Sequence, residues 1–182
     1  ALCSHDAITA IFGNLLALVT DTFYLTADIA RFGSDYARIG VWKGYKLVDL
    51  KCFPISKTTE IQTCITHFQK KYRIPKWRCI ADEDGVGGGV VDNCDIQGFT
   101  NNSRAFNDEN YQNLQTQCAY KLAEHINASE LGVDPDLVSP ADMEQITLEL
   151  EQLQTWKVDD EGKLKIKPKE EIKQDIGCSP DW

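Results

Sequence analysis

Apolar residues recur along this chain with two spacings, and the changes from one to the other divide it into strands and helices. Ile8, Ile11, Leu15 and Val19 recur at helical spacing behind Ser4, which predicts an N-terminal helix or linker over residues 1–20, weakened at Gly13. Residues 22–30 read as a strand, 31–35 as a turn, and 36–42 and 45–53 as two further strands joined at Lys43-Gly44. Short joints make such a set antiparallel, with the first strand central because it is nearly apolar on both faces. Ser56 opens a helix in which Ile61, Ile65, Phe68 and Tyr72 share a face, and Pro75 lies beyond its end. That helix is the crossover needed to lay the next apolar run, Cys79-Ile80-Ala81, parallel to the first strand.

The second half is more helical. A short helix is expected over 86–94, an extended segment over 98–102, and a longer helix over 108–126 with Tyr111, Leu114, Cys118, Leu122 and His125 on one face. Residues 131–137 read as loop. Ser139-Pro140-Ala141-Asp142 combines a hydroxyl cap, a first-turn proline and an acid, so a helix follows, with Met143, Ile146, Leu150 and Leu153 turned inward. Asp159-Asp160-Glu161-Gly162 joins a hairpin, and 168–176 is a short charged helix. Ser179-Pro180-Asp181 repeats the pattern at Ser139, so a further core element is expected to begin there, truncated or disordered.

These elements describe an α/β protein, and 182 residues allow one sizeable core. No apolar run is long enough to span a membrane, and Asn14 interrupts the longest. Seven cysteines, an odd number without a C-x-x-C pair, argue against a disulfide framework and a thiolate zinc site, and for a reducing compartment. The net charge of -9 means that any contact with nucleic acid must run through a local patch.

The chemistry-bearing stretch is Cys79 to Asp92, where an apolar run delivers Asp82-Glu83-Asp84 to a glycine-rich bend. Parallel neighbours would bring Asp28, which closes the first strand, and Asp82 to the same edge of the sheet, where open α/β sheets hold their ligands. Acids distant in sequence but convergent in space suit a pair of hard divalent cations, Mg²⁺ or Mn²⁺, that hydrolyse a phosphodiester. Without metal, such carboxylates would repel one another. Asp28, Asp82 and Asp181 fit that pattern, with Asp84 either a ligand in place of Asp82 or its support. A calcium loop starting at Asp82 is excluded because its twelfth position is Asn93.

Gly85, Gly87, Gly88 and Gly89 fit neither G-x-G-x-x-G nor a P-loop, and read instead as close approach of backbone to a strand, metal or phosphate. His5, His67 and His125 have no ligand spacing and are expected to be structural or surface residues. Lys70, Lys71, Arg73, Lys76 and Arg78 form the densest basic patch, a solvated face or a set of phosphate contacts, and a second patch runs from Lys163 to Lys173.

Three runs together resemble a known family. They are Tyr24-Leu25-Thr26-Ala27-Asp28-Ile29-Ala30-Arg31-Phe32-Gly33-Ser34-Asp35, the run Ala81 to Asp92, and the tail from Lys169 to Asp181. In this order they resemble the nuclease domain of the large terminase subunit of tailed bacteriophages and prophages, over nearly the whole chain. The resemblance implies an RNase H-like fold of the resolvase and integrase type, with a central mixed sheet, the first three strands antiparallel, the fourth parallel to the first, and helices on both faces. Residues 21–182 would form this nuclease domain.

The resemblance further implies a Mg²⁺- or Mn²⁺-dependent endonuclease that cuts concatemeric double-stranded viral DNA during packaging in the cytoplasm of the bacterial host. Asp28 and Asp82 match the family's first-strand and fourth-strand acids, and Asp181 an acid of its late motif. Arg31 joins Lys70, Lys71, Arg73, Lys76 and Arg78 as a candidate DNA contact. A terminase ATPase domain in cis, the portal and the small terminase subunit are the implied partners. A non-catalytic interaction domain of the packaging motor is the rival reading, and metal binding discriminates the two. A kinase-like nucleotide fold would need a repeat and a phosphate loop that this chain lacks.

Overall fold

A computed structural model describes residues 1–29, 36–54, 57–84, 87–178 and 180. The chain divides into two compact units, Leu18–Thr100, and Ala1–Ala17 with Asn101–Trp182.

In the first unit five strands form a mixed sheet, β1 (Phe23–Asp28), β2 (Ala37–Lys43), β3 (Lys46–Phe53), β4 (Cys79–Asp82) and β5 (Gln97–Phe99). They lie in the order β5-β4-β1-β2-β3, with β1, β2 and β3 antiparallel in sequence and β4 parallel to both β1 and β5. The β2–β3 joint turns at Gly44, whose φ of +60 is open to glycine. The crossover helix α2 (Thr58–Tyr72) starts behind Lys57, whose N–H is held by Glu60 at 2.8 Å. Ser56, expected to open this helix, lies outside the described residues.

Strand alternation decides what each face does. Leu25, Ala27, Ile39, Val41, Cys79 and Ala81 are buried and pack with Ile61, Ile65 and Phe68 of α2 in one core. Val90 and Val91 of α3 (Gly87–Cys94) join the same core. The even-numbered residues Tyr24, Thr26 and Asp28 face the other way and are exposed.

On β3 the register slips between Val41, which pairs with Asp49, and Trp42, which pairs with Leu47. This bulge puts Val48 and Asp49 together where alternation would separate them. Asp49 thereby meets the last turn of α2. Its Oδ2 accepts from Lys71 Nζ at 2.8 Å and from the Tyr72 hydroxyl at 2.6 Å. Burial pushes the Asp49 carboxyl up, but the hydrogen bonds from Lys71 and Tyr72 outweigh it and hold the group below its ordinary 3.8. A carboxyl depressed in the fold stabilises it above the unfolded value and loses that contribution as pH falls through the folded value. Asp49→Asn is expected to cost about 1 kcal/mol at pH 7. Urea unfolding should show the difference shrinking below about pH 4.

The other unit holds α1 (His5–Ala10), α4 (Leu114–Asn127), α5 (Pro140–Glu151) and α6 (Lys169–Ile176). Ser4 caps α1 through Ala7 N–H, as expected, but the helix ends ten residues before Thr20. Gly13 turns the backbone left-handed (φ +75), and Asn14 then binds the carbonyls of Ser129 and Leu131 at 2.9 and 2.7 Å. Leu15, expected on the helix's buried face, is 95% exposed.

The long helix also starts later than its spacing suggested. Asn113 caps α4 by accepting from Thr116 N–H, and the buried stripe runs through Leu114, Ala119, Ala123 and Ile126, leaving Cys118 exposed. Gln117 explains the rotation. Its buried amide accepts from Phe106 N–H at 2.7 Å and donates to the Phe106 carbonyl at 3.1 Å. Ser139 and Asp142 cap α5 reciprocally, as their order announced. All seven cysteines are free thiols.

Candidate metal centre

The site begins with strand register. Leu25, Thr26 and Ala27 of β1 pair in parallel with Cys79, Ile80 and Ala81 of β4. The next residues along are Asp28 and Asp82, so the two carboxylates close neighbouring strands about 4.8 Å apart. Both occupy positions on the face away from α2, Asp28 exposed and Asp82 half-buried. Two separate sequence segments therefore converge on one edge, as the crossover predicted.

Asp82 is fixed by its own turn. Its Oδ1 accepts from Asp84 N–H at 2.9 Å, an Asx turn that aims the strand end, while Glu83 N–H donates to the Phe99 carbonyl of β5 at 2.9 Å. Asp84 itself is exposed. The glycine run divides sharply by role. A Cβ on Gly87 would overlap the Asp82 carbonyl, whereas Gly89 has nothing within 4 Å. Close approach to the strand is thus the task of Gly87, which seats the first turn of α3 against the residue that carries the acid. Gly85 lies outside the described residues.

Arg38 escaped the reading of the sequence. In the antiparallel β1–β2 pair it stands directly opposite Asp28, on the strand positions shared with Gly40 and Trp42, and its guanidinium lies 5.3 Å from the Tyr36 ring centre. Alternation in Ala37-Arg38-Ile39-Gly40-Val41, together with the β1 pairing, is the signal that could have found it.

The basic candidates do not gather at this edge. The Tyr72 ring lies 5.2 Å from that of Phe23, the first residue of β1, so the carboxyl end of α2 sits at the opposite end of the strands from the acids. Six residues of strand separate the two ends by roughly 17 Å. Lys70 and Arg73 are exposed there, and Lys71 is paired with Asp49. Lys76 pairs with Asp95 at 3.0 Å. Arg78 belongs to the acid-bearing face of the sheet, stacked 4.3 Å from the Trp77 ring centre and 5.8 Å from that of Tyr24. Arg31 and Asp181 lie outside the described residues. The segment before Asp181 is tied to α5, where Gln145 Nε2 reaches Cys178 Sγ at 3.2 Å.

The histidines stand at the surface or in local contacts. His5 and His125 contact Glu151 and Glu130 at 2.6 Å, and the His67 ring lies beside Phe68. Among the described residues no three His, Cys, Asp or Glu side chains form a metal cluster. Asp28 and Asp82 stand as two acids at neighbouring strand ends.

No family model matches the sequence, and no curated protein matches it. Solved structures do. The nuclease domain of the large terminase subunit gp2 of bacterial virus Sf6 is similar over 100% of this chain and 94% of its own, with a TM-score of 0.81 at 17% identity. A K428A mutant of that domain, solved with manganese, gives 0.77 at 16% identity over the same shares. The large terminase nuclease from thermophilic phage G20c with bound magnesium covers 92% of this chain and 88% of its own, with a TM-score of 0.55 at 14% identity. Strand order, strand direction and these matches agree: the chain has the RNase H-like fold of the nuclease domain of phage large terminase subunits.

Proposed function

We propose that this chain is a metal-dependent endonuclease that hydrolyses double-stranded viral DNA during genome packaging. The observation that carries the reading is the parallel register of β1 and β4, which sets Asp28 beside Asp82 at neighbouring strand ends on one face. An all-oxygen donor set of carboxylates fits Mg²⁺ or Mn²⁺ and not a soft metal. The Sf6 and G20c domains have been solved with manganese and magnesium, and also with calcium, zinc and cobalt.

Asp28 and Asp82 would hold the ions, with Asp181 completing the set. When bound, such ions lower the pKa of a water and stabilise the departing oxygen of an in-line displacement. Asp84 N–H keeps Asp82 Oδ1 in place, and the Asp82 and Asp84 carboxylates would supply the further oxygens. Arg38, opposite Asp28, offers a cation to a non-bridging phosphate oxygen. Arg31, close to Asp28 in sequence, and Arg78, on the acid-bearing face, would be the DNA contacts nearest this chemistry, and Lys70, Lys71, Arg73 and Lys76 would meet the backbone farther away. The domain would work beside an ATPase domain in cis, with the portal and small subunit as further partners, in the host cytoplasm.

The test is supercoiled plasmid incubated with the purified protein and Mn²⁺, Mg²⁺ or EDTA. Nicked and linear products are expected with either metal and none with EDTA. Intact plasmid under every metal condition would overturn the reading in favour of a non-catalytic interaction domain.

A further inference from the structure

On the acid-bearing face of the sheet, toward the amino ends of β1 and β4, lies an open groove of about 600 Å³. All of its lining residues belong to the unit Leu18–Thr100. Its walls are aromatic. Trp77 is 63% and Tyr24 43% exposed, which a folded protein rarely allows two large rings in one place without use for them. Trp42 is fixed as a floor by its Nε1–H, which donates to Thr26 Oγ1 at 2.9 Å. Gly40 leaves room for that bond, since a Cβ there would stand 3.3 Å from Trp42 Nε1 and 3.4 Å from Thr26 Oγ1.

The groove's charge differs from that of the chain around it. In a protein of net charge -9, the described residues that line the groove include no acid and a single cation, Arg78. Its guanidinium lies over both the Trp77 and Tyr24 rings, and its buried Nε has no hydrogen-bond partner among the described residues. The groove also leads to the acids. Thr26 and Ile80 line it, and two residues farther along the same strands and face stand Asp28 and Asp82. Two residues of strand cover about 6.6 Å, close to one nucleotide step of an extended strand.

We propose that this groove is a stacking subsite for the bases of a locally unpaired DNA strand next to the scissile phosphate. The proposal rests on the nuclease reading for its geometry. Intact duplex hides the faces of its bases, so exposed rings gain little from it, whereas every unpaired base offers a π-face to Trp77 or Tyr24. Arg78 holds the backbone of that strand and stacks at the same time. The substrate is then a duplex that is frayed or opened beside the cut.

The experiment is fluorescence anisotropy of labelled forked and blunt duplexes of equal length, in EDTA so that neither is cut. Wild type is expected to bind the fork more tightly, and Trp77→Ala or Tyr24→Ala to lose roughly 5- to 100-fold on the fork with little change on the blunt duplex. Trp77→Phe should retain the preference. Both rings are exposed, so truncation leaves the core intact. Equal affinity of wild type for fork and blunt duplex, or Trp77→Ala binding like wild type, would overturn the subsite. Plasmid cleavage is read separately. A ring-dependent fork preference without any cleavage would keep the subsite and reject the nuclease, and cleavage without the preference would do the reverse.

Discussion

Replacing Asp28 or Asp82 with asparagine is expected to lower metal-dependent plasmid cleavage by roughly 10²- to 10³-fold, the scale of losing one preorganised charge-stabilising partner in a transition state. The substitution is chosen for what it keeps. An asparagine at 82 still offers an Oδ1 to Asp84 N–H, so the turn that aims the strand end survives. Asp28 is exposed, and its amide analogue disturbs no core. Thermal unfolding without metal should stay close to wild type, because neither carboxylate belongs to the buried core. Asp84→Asn resolves the choice left open by the Asp82-Glu83-Asp84 run. A loss as large as that of Asp82→Asn would make Asp84 a ligand, and a loss of a few-fold would make it a support.

Gly87→Ala is expected to destabilise the fold by about 1–3 kcal/mol, the usual cost of forcing a methyl group into filled space. The space is filled by backbone. The new Cβ would overlap the Asp82 carbonyl oxygen and stand 2.7 Å from its carbon, and neither can rotate aside as a side-chain tip could. Either α3 lifts or the end of β4 moves, and the second outcome carries the Asp82 carboxylate with it. Cleavage should therefore fall together with stability. Gly89→Ala, two residues on in the same helix, meets nothing within 4 Å and should stabilise by about 0.5–1 kcal/mol through reduced unfolded-state freedom. Urea unfolding of both variants side by side checks the contrast, and equal effects would deny Gly87 its special role.

The β1–β4 framework was legible because local signals agreed with the global fold. Lys43-Gly44 turned one hairpin, Pro75 ended the crossover helix, and two apolar runs each stopped at an aspartate. Handedness and parallel pairing then brought the acids together without any further information. What was illegible depended on partners distant in sequence. Helical spacing extended α1 to Leu15 and Val19 because nothing in the local pattern reveals that Asn14 is claimed by the carbonyls of Ser129 and Leu131. The face of α4 turned on Gln117 finding the Phe106 backbone. Arg38 became visible only once β2 was registered against Asp28, and Lys71, read as part of a solvated face or a phosphate contact, pairs with Asp49 through a bulge that no alternation rule foretells.

The most direct test of the central claim is binding of metal to the acid pair itself. Calorimetric titration of the purified protein with Mn²⁺ should give a saturable signal in wild type that is lost or greatly weakened in Asp28→Asn, Asp82→Asn and the double variant, with folding unchanged. Undiminished Mn²⁺ binding in the double variant would contradict the account, since the ions would then sit elsewhere and the register of β1 and β4 would have no catalytic meaning.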